Sequence, residues 1–271
     1  MPTEDATTRP AFEVRSGDGV PIVVWTAGEG PPVVLVHGSI ADHTTLNFLL
    51  AELARDFTTY AADRRGFGAS GDGTDYSIER DFDDVAAVLA EVHRRTGGPV
   101  TLWGHSYGAN CAMGAAARSD HVAHLVLYEP SLGLPYPPGS IEGVEAALAA
   151  GNREEAIRRV LVDLLELTDE EVEELRSTPL WGTRVAVAHT IPRECHAEQD
   201  WTYRPGQFAG INAPTLLLSG SDSVPSVIAA TGEAAAVIPG ARVRVLEGHA
   251  HFAHKTNPSL VGDIIREFVG R

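Results

Sequence analysis

A serine between two spaced glycines, in Gly104-His105-Ser106-Tyr107-Gly108, directly follows a short apolar run. The residues Val100 to Trp103 predict a buried strand, and the alanine-rich stretch Ala109 to Arg118 predicts a helix. A serine on such a turn is held in a strained backbone conformation, and the two glycines let the strand and the helix approach without Cβ clashes. The helix directs its first N–H groups towards the hydroxyl, where an oxyanion can form. The pattern indicates nucleophilic chemistry at Ser106.

A serine hydroxyl needs a base within hydrogen-bond reach, and that base needs a carboxylate to orient it. The expected chain order is serine, acid, histidine. Asp222 follows the apolar strand Thr215 to Leu218. Glu129 ends the strand that comes after the helix next to Ser106, the serine turn being called the elbow below, and His251 follows a later strand. The carboxyl ends of parallel strands share one sheet edge, so these side chains can converge on Ser106. We favour Asp222 as the acid, with Glu129 as the alternative.

Three histidines, His249, His251 and His254, lie together between the last strand and the last helix. Their spacing is also compatible with a metal site, but catalytic zinc usually takes ligands from other loops, and no second His or Cys cluster is evident. We therefore expect no metal and no organic cofactor. A base on this loop has to face the serine, and we select His251; the other two histidines are expected to pack or to support it.

An oxyanion hole needs two backbone donors. The N–H of Tyr107, next to the nucleophile, is one candidate, and the N–H of Ser39, in the turn after Val33 to Val36, is the other. Substrate contacts are expected from residues beside these donors and from aromatic residues further along the chain, namely His37, Gly38, Ile40, His105, Trp181 and Trp201.

Strand and helix patterns alternate along most of the chain after an N-terminal hairpin. Such alternation predicts an α/β fold with a mostly parallel sheet and helices on both faces. From about residue 131 to residue 210 the strand signal disappears, and the pattern is helical, including the acidic stretch Asp163 to Arg176. We expect a core of residues 1–130 and 211–271 with an inserted all-helical cap, residues 131–210, over the strand ends where ligands bind in open α/β sheets.

The composition of the chain limits the classes of ligand that it can bind. The chain has 271 residues, 44% of them hydrophobic, and a formal net charge of −16. This charge argues against binding to nucleic acid or to an anionic membrane, and a small neutral or cationic substrate is easier to accommodate. The stretch Met1 to Pro10 is polar and lacks the apolar segment of a secretion signal. We expect a soluble cytoplasmic protein acting on a small molecule; its oligomeric state is left open.

Five segments together resemble the α/β-hydrolase superfamily over nearly the whole chain outside the insertion. They are Val36 to Gly38, Asp63 to Ser70, Gly104 to Ala109, Ala213 to Leu218 and Gly248 to Pro258. In this family the catalytic histidine lies seven residues before the proline that opens the last helix, which again gives His251. The acid commonly lies three residues after the glycine of its loop, a position held here by Ser223, whereas Asp222 is two residues after Gly220. Some members carry it at the position of Glu129.

The residue type at the elbow also selects the reaction. Relatives resembling dehalogenases and epoxide hydrolases use an aspartate there, because displacement at an alkyl carbon leaves an ester that water can cleave, whereas a serine would leave an inert ether. Ser106 therefore favours hydrolysis of an ester, a lactone or a thioester through an acyl-enzyme. The alternatives are a C–C bond hydrolase, a cofactor-free haloperoxidase-like perhydrolase, or a non-catalytic ligand-binding protein on the same scaffold.

Overall fold

An eight-stranded sheet forms the centre of the protein, whose computed structural model describes residues 9–271. The strands are Arg9–Arg15 (β1), Pro21–Ala27 (β2), Pro32–Val36 (β3), Thr58–Ala62 (β4), Val100–His105 (β5), Val122–Tyr128 (β6), Thr215–Gly220 (β7) and Arg242–Leu246 (β8). Their order across the sheet is β1-β2-β4-β3-β5-β6-β7-β8. Strand β2 pairs antiparallel with β1 and β4, and every other pair is parallel. The predicted mostly parallel sheet is confirmed.

Helices cover both faces of this sheet. The α-helices are Asn47–Leu53 (α1), Ile78–Thr96 (α2), Tyr107–Ala116 (α3), Ser140–Ala149 (α4), Arg153–Arg159 (α5), Asp169–Arg176 (α6), Trp181–Ala186 (α7), Ile191–Gln199 (α8), Pro225–Val237 (α9), Ala253–Thr256 (α10) and Pro258–Val269 (α11). One apolar core joins the sheet to α2, α3 and α9, and a second core joins its other face to α1, α10 and α11. The layers are those of the predicted α/β fold.

The central strands could be predicted from continuous apolar runs because they are buried on both faces. All six residues of β5 and all six of β7 are buried, as expected for parallel strands covered on both faces. Strand β8, at the edge of the sheet, has only Leu246 buried, while Val243 and Val245 are about half exposed. Strand β5, which leads into Ser106, thus lies in the most deeply buried part of the sheet.

The helices α4 to α8, together called the inserted helices, lie between β6 and β7. They share an apolar cluster of their own, which includes Val144, Ile157, Leu161 and Ile191. The acidic stretch is less helical than predicted. A π-helical segment, Val160–Leu164, continues α5, and α6 begins only at Asp169, where Thr168 and Glu171 form a capping box.

No helix within residues 9–271 combines the length and the apolar character that crossing a bilayer requires. The expectation of a polar N-terminus concerns Met1 to Pro10, and residues 1–8 of that stretch lie outside the described residues.

Candidate active site

Ser106 lies at the sharp turn between β5 and α3, with φ 54° and ψ −128°. A residue with a Cβ atom rarely adopts a positive φ, so neighbouring bonds must hold it there. The N–H of Ser106 donates to the Tyr128 carbonyl (2.8 Å), and the N–H of Ala109 donates to the carbonyl of Ser106 (2.8 Å). Ser106 lines a cavity of about 220 Å³ between the strand ends and the inserted helices.

The two elbow glycines are required by close backbone contacts. A Cβ on Gly108 would lie 2.3 Å from the His37 carbonyl oxygen, and a Cβ on Gly104 would lie 2.4 Å from the Gly108 carbonyl oxygen. Because these neighbours are backbone atoms of α3, of the end of β3 and of the loop after it, they cannot move aside independently. The predicted role of the glycines, close approach of strand and helix, is what the geometry requires.

We expect Gly108→Ala to lower the free energy of unfolding by about 3 kcal/mol or more, because overpacking a rigid core forces backbone shifts. The matched control is Gly232→Ala in α9, where an added Cβ meets nothing within 4 Å. That change should raise stability by up to about 1 kcal/mol, since alanine favours helix over glycine. Urea unfolding of both variants measures the difference; equal effects would contradict the packing argument.

His251 lies between β8 and α10 and lines the same cavity as Ser106. Its Nδ1 bonds to Oε2 of Glu129 at 2.5 Å, which leaves Nε2 as the ring nitrogen available to the cavity. Its loop is tied to the sheet, because Nε2 of His105 donates to the His251 carbonyl (2.8 Å) and the Tyr128 hydroxyl bonds the neighbouring Ala250 carbonyl. These bonds fix the position of the imidazole.

Glu129 follows β6 with a positive φ of 49° and is fully buried. Besides the bond to His251, its Oε1 accepts from the N–H of Gly220 (2.7 Å) and from the hydroxyl of Ser223 (2.6 Å). Both carboxylate oxygens are therefore satisfied, which a buried charge requires. The arrangement suits a carboxylate that fixes the tautomer and orientation of an imidazole.

The preference for Asp222 over Glu129 as the partner of His251 is wrong. Asp222 is exposed, and its carboxylate accepts from the Ser221 hydroxyl (2.8 Å). The loop after β7 turns the side chain two residues after Gly220 towards solvent, while the next side chain, Ser223, points inwards and donates to Glu129. The open alternative, Glu129, is the residue that contacts the histidine.

The candidate oxyanion donors lie beside the nucleophile. Ser39 lines the cavity, and a Cβ on the preceding Gly38 would lie 3.0 Å from the Cβ of Ser106. Tyr107 is the first residue of α3. Within residues 9–271, the N–H groups of Ser39 and Tyr107 donate to no other residue. Both donors remain available for a ligand oxygen.

Arg64 holds the loop that carries Ser39. Its guanidinium donates to the carbonyls of His37 (3.0 Å) and Gly38 (3.1 Å), and its N–H donates to Nε2 of His37 (3.1 Å). Burial and the nearby Arg64 charge lower the pKa of His37 to about 3, so this ring stays neutral and can accept that bond. The carbonyls of His37 and Gly38 are thus occupied by hydrogen bonds to Arg64.

Comparison with known proteins agrees with this geometry. Residues 33–263 match the alpha/beta hydrolase family. The chain belongs to this family. An alpha/beta hydrolase from Sphaerobacter thermophilus is 33% identical, with a TM-score of 0.82 over 95% of this chain and 100% of that one. The esterase RhEst1 from Rhodococcus is 27% identical, with a TM-score of 0.77 over 97% and 98%. A 2-(acetamidomethylene)succinate hydrolase from Mesorhizobium japonicum is 26% identical over 89% of both chains.

The cavity of this alpha/beta hydrolase includes only some of the predicted substrate-binding residues. Those that line it are Gly38, Ile40 and His105. His37 is fully buried behind the loop, Trp181 packs among the inserted helices, and Trp201 packs against Phe208 with ring centroids 6.4 Å apart. These three residues, which were expected to contact the substrate, do not line the cavity. The two tryptophans are used in packing, and His37 is held by hydrogen bonds with the Gly38 carbonyl and the Arg64 N–H.

Several cavity residues were not predicted from the sequence, among them Ser131, Tyr136, Arg184, Glu198 and Lys255. Four of the five come from the stretch between β6 and β7, where composition indicates helices but not which face points to the site. Lys255 had a usable signal. It is the chain's single lysine and lies one helical turn after His251.

Glu198 is buried at the cavity wall, where it bonds the hydroxyls of Ser131 and Tyr136. Burial raises the pKa of this carboxyl to about 8, against the opposing effect of those hydrogen bonds. The folded protein therefore keeps the side chain protonated at neutral pH, whereas the unfolded chain releases the proton above its ordinary pKa of 4.5. The contribution of Glu198 to the free energy of unfolding is therefore fully present below pH 4.5 and is lost as the pH rises towards 8.

We expect Glu198→Gln, which is neutral at every pH, to remove this dependence. Relative to the unsubstituted protein, the free energy of unfolding of the variant should rise between pH 4.5 and 8, by up to about 1.4 kcal/mol per pH unit. Urea unfolding across this range measures it. A difference that stays constant with pH would contradict the assignment of a protonated Glu198.

Proposed function

We propose that this alpha/beta hydrolase is a serine hydrolase that cleaves a small-molecule ester, lactone or thioester through an acyl-enzyme. The observation that carries the proposal is the shared cavity of Ser106, on a strained turn, and His251, whose far ring nitrogen is bonded to buried Glu129. Nucleophile, base and orienting carboxylate are the parts that acyl transfer needs.

In the first half-reaction, Nε2 of His251 takes the proton of the Ser106 hydroxyl while the oxygen attacks the substrate carbonyl carbon. The carbonyl oxygen becomes an oxyanion that accepts from the N–H groups of Ser39 and Tyr107. Collapse breaks the bond to the leaving oxygen or sulfur, which takes the proton from Nε2. Glu129 stabilises the imidazolium that exists between these two proton transfers.

Water completes the cycle. His251 removes a proton from the water as it attacks the ester carbonyl of acylated Ser106. A second oxyanion forms in the same place, the bond to the serine oxygen breaks, and the proton returns to Ser106. The inserted helices act in this scheme as a cap that closes the cavity around the acyl group and limits the access of bulk water.

The comparisons support an ester-type substrate. RhEst1, 27% identical to this chain, is named an esterase. The Mesorhizobium relative is named a hydrolase of an acetamido-substituted succinate, which supports hydrolysis and names no ester bond. An acyl-enzyme also follows directly from a serine nucleophile, because a serine ether formed at an alkyl carbon would have no carbonyl for water to attack.

Rapid mixing of the enzyme with excess 4-nitrophenyl acetate tests the proposal. A burst of about one 4-nitrophenol per chain, followed by slower turnover, is the fingerprint of an accumulating acyl-enzyme. Mass spectrometry of the acid-quenched burst should place the acetyl group on the peptide containing Ser106. Turnover with no acetylated peptide under any mixing condition would contradict the covalent mechanism.

A further inference from the structure

Two basic side chains line the cavity, one from the inserted helices and one from the core. Arg184 belongs to α7, one of the inserted helices, and is 5% exposed. Lys255 belongs to α10 on the core side and follows His251 by four residues. Both line the cavity that contains Ser106.

Neither basic group has an acidic partner within residues 9–271. Arg184 donates one bond, from Nη1 to the Leu180 carbonyl (3.3 Å), and its buried Nε has no partner. The Lys255 ammonium lies 4.9 Å from the centre of the Phe252 ring and forms no ion pair. Burying a cation without a counter-charge costs free energy. Arg184 is buried and Lys255 is half-buried, so the two unpaired cations need another explanation.

The other fully buried arginines show how this chain normally satisfies a guanidinium. Arg64 bonds Glu194 at 2.6 Å, and Arg65 bonds Asp84 at 2.7 Å through two nitrogens. Arg184 and Lys255 depart from this pattern, and both line a cavity in which a ligand could supply the missing negative charge.

The remaining ionisable groups of the cavity do not neutralise the pair. Asp163 lies 3.7 Å from Arg159, and Glu166 is exposed to solvent. Burial raises the pKa of Glu198 to about 8, so this wall is uncharged at neutral pH. The other ionisable lining groups are the imidazoles of His105, His251 and His254, the Tyr136 phenol and the Cys195 thiol. Burial raises the pKa of the phenol and of the thiol, so neither supplies a negative charge at neutral pH.

The electrostatics of the two basic groups agree with the absence of a counter-charge. Burial, and secondarily the charge of Arg184, lower the pKa of Lys255 to about 7. Burial also lowers the pKa of Arg184. A bound anion would reverse both effects, because it favours the charged forms.

We propose that the substrate of this enzyme carries a carboxylate, which Arg184 and Lys255 bind from the two sides of the cavity while Ser106 attacks the ester group. This inference rests on the proposed function and specifies its substrate class. A guanidinium offers two parallel donors to a carboxylate, and an ammonium adds a compact charge. The expectation of a neutral or cationic substrate is thereby revised: the net charge of −16 describes the whole chain, whereas recognition depends on the charges inside the cavity.

Matched esters test the proposal. The first pair is 4-nitrophenyl hydrogen adipate, which keeps a free carboxylate, and methyl 4-nitrophenyl adipate, which does not. The second pair is 4-acetoxybenzoate and its methyl ester, with the charge on the alcohol side. We expect kcat/KM to favour the carboxylate by about tenfold or more in at least one pair, as charged hydrogen bonds typically provide. No preference in either pair would overturn the proposal.

Variants separate charge recognition from other effects. In Arg184→Gln and in Lys255→Gln, the ratio of kcat/KM between charged and neutral esters should fall by about tenfold, and Lys255→Arg should restore most of it. Arg158→Gln, which removes a positive charge outside the cavity, is the control and should leave the ratio unchanged. A ratio that falls equally in all three charge-removing variants would overturn the proposal.

Chemical labelling of Lys255 gives a readout independent of catalysis. Because Lys255 is the single lysine, acetylation of its peptide by acetic anhydride reports on one side chain. Adipate should slow this acetylation at pH 7, uncharged adipamide should not, and Arg184→Gln should weaken the protection by adipate. Equal effects of adipate and adipamide, or no protection, would overturn the anion site. If no ester is cleaved while adipate still protects, the serine mechanism fails and the anion site stands.

Discussion

Replacing Ser106 with alanine is expected to lower kcat for ester hydrolysis by about 10⁴-fold or more, because the variant retains binding and the oxyanion donors but has no nucleophile. The substitution keeps the Cβ atom, so the strain of the positive φ is unchanged and the fold should survive. Steady-state hydrolysis of 4-nitrophenyl acetate measures the loss, and the melting temperature checks the fold.

Ser177→Ala, at the exposed C-terminal end of α6, is the control for this experiment. It removes the same hydroxyl far from the cavity and should leave the rate unchanged. If Ser106→Ala remained folded and kept more than about one-tenth of the activity, the nucleophile would have to be sought elsewhere.

The second large effect is expected at Glu129. Glu129→Gln should lower kcat by about 10³- to 10⁴-fold, because an amide can present its NH₂ group to the histidine, favour the wrong tautomer and fail to stabilise an imidazolium. Asp222→Asn, a matched change at an exposed carboxylate on the neighbouring loop, should leave kcat within about twofold. Parallel measurements on one chromogenic ester compare them directly.

The loss of kcat in Glu129→Gln compared with that in Asp222→Asn decides which carboxylate orients His251. A large loss in Asp222→Asn with little loss in Glu129→Gln would contradict the role given to the His251–Glu129 bond. A large loss in Glu129→Gln accompanied by unfolding would be resolved with Ser223→Ala, which removes one donor to Glu129 but keeps the carboxylate. That milder variant should retain a folded core and show a smaller fall in kcat.

Much of the fold was predictable because its signals are local. The predicted strand Val100 to Trp103 is found as Val100–His105, and the last helix opens at Pro258, as expected. Continuous apolar runs mark buried parallel strands, and proline marks the first turn of a helix. Helix α10 was missed because its four residues are too few to show a helical period.

The placement of site residues was predictable only where one motif carried it. The pentapeptide around Ser106 contains its own geometric requirement, since Gly104 and Gly108 must lack Cβ atoms. Glu129 and Asp222 both follow core strands, and nothing local decides which side chain turns inwards. That depends on the positive φ of Glu129 and on its bonds to Gly220 and Ser223, both more than 90 residues further along the chain.

Sequence motifs do not show whether a basic residue in the cavity has an acidic neighbour. Whether Arg184 or Lys255 has an acidic neighbour depends on helices and loops distant in sequence, and the absence of such a neighbour becomes visible only in three dimensions. From the bulk composition we expected a neutral or cationic substrate, whereas the cavity leads us to propose a substrate that carries a carboxylate. Trp181 and Trp201 show the converse case, because large aromatic side chains suit both packing and ligand contact, and here they are used for packing.

The central claim is that His251, oriented by Glu129, activates the hydroxyl of Ser106. Treatment of the folded enzyme with a fluorophosphonate, followed by peptide mass spectrometry, tests it most directly. We expect one adduct per chain, on Ser106, formed at a rate that falls by about 10²-fold or more in His251→Gln. No adduct, an adduct on another residue, or labelling of Ser106 at the same rate in His251→Gln would contradict the account.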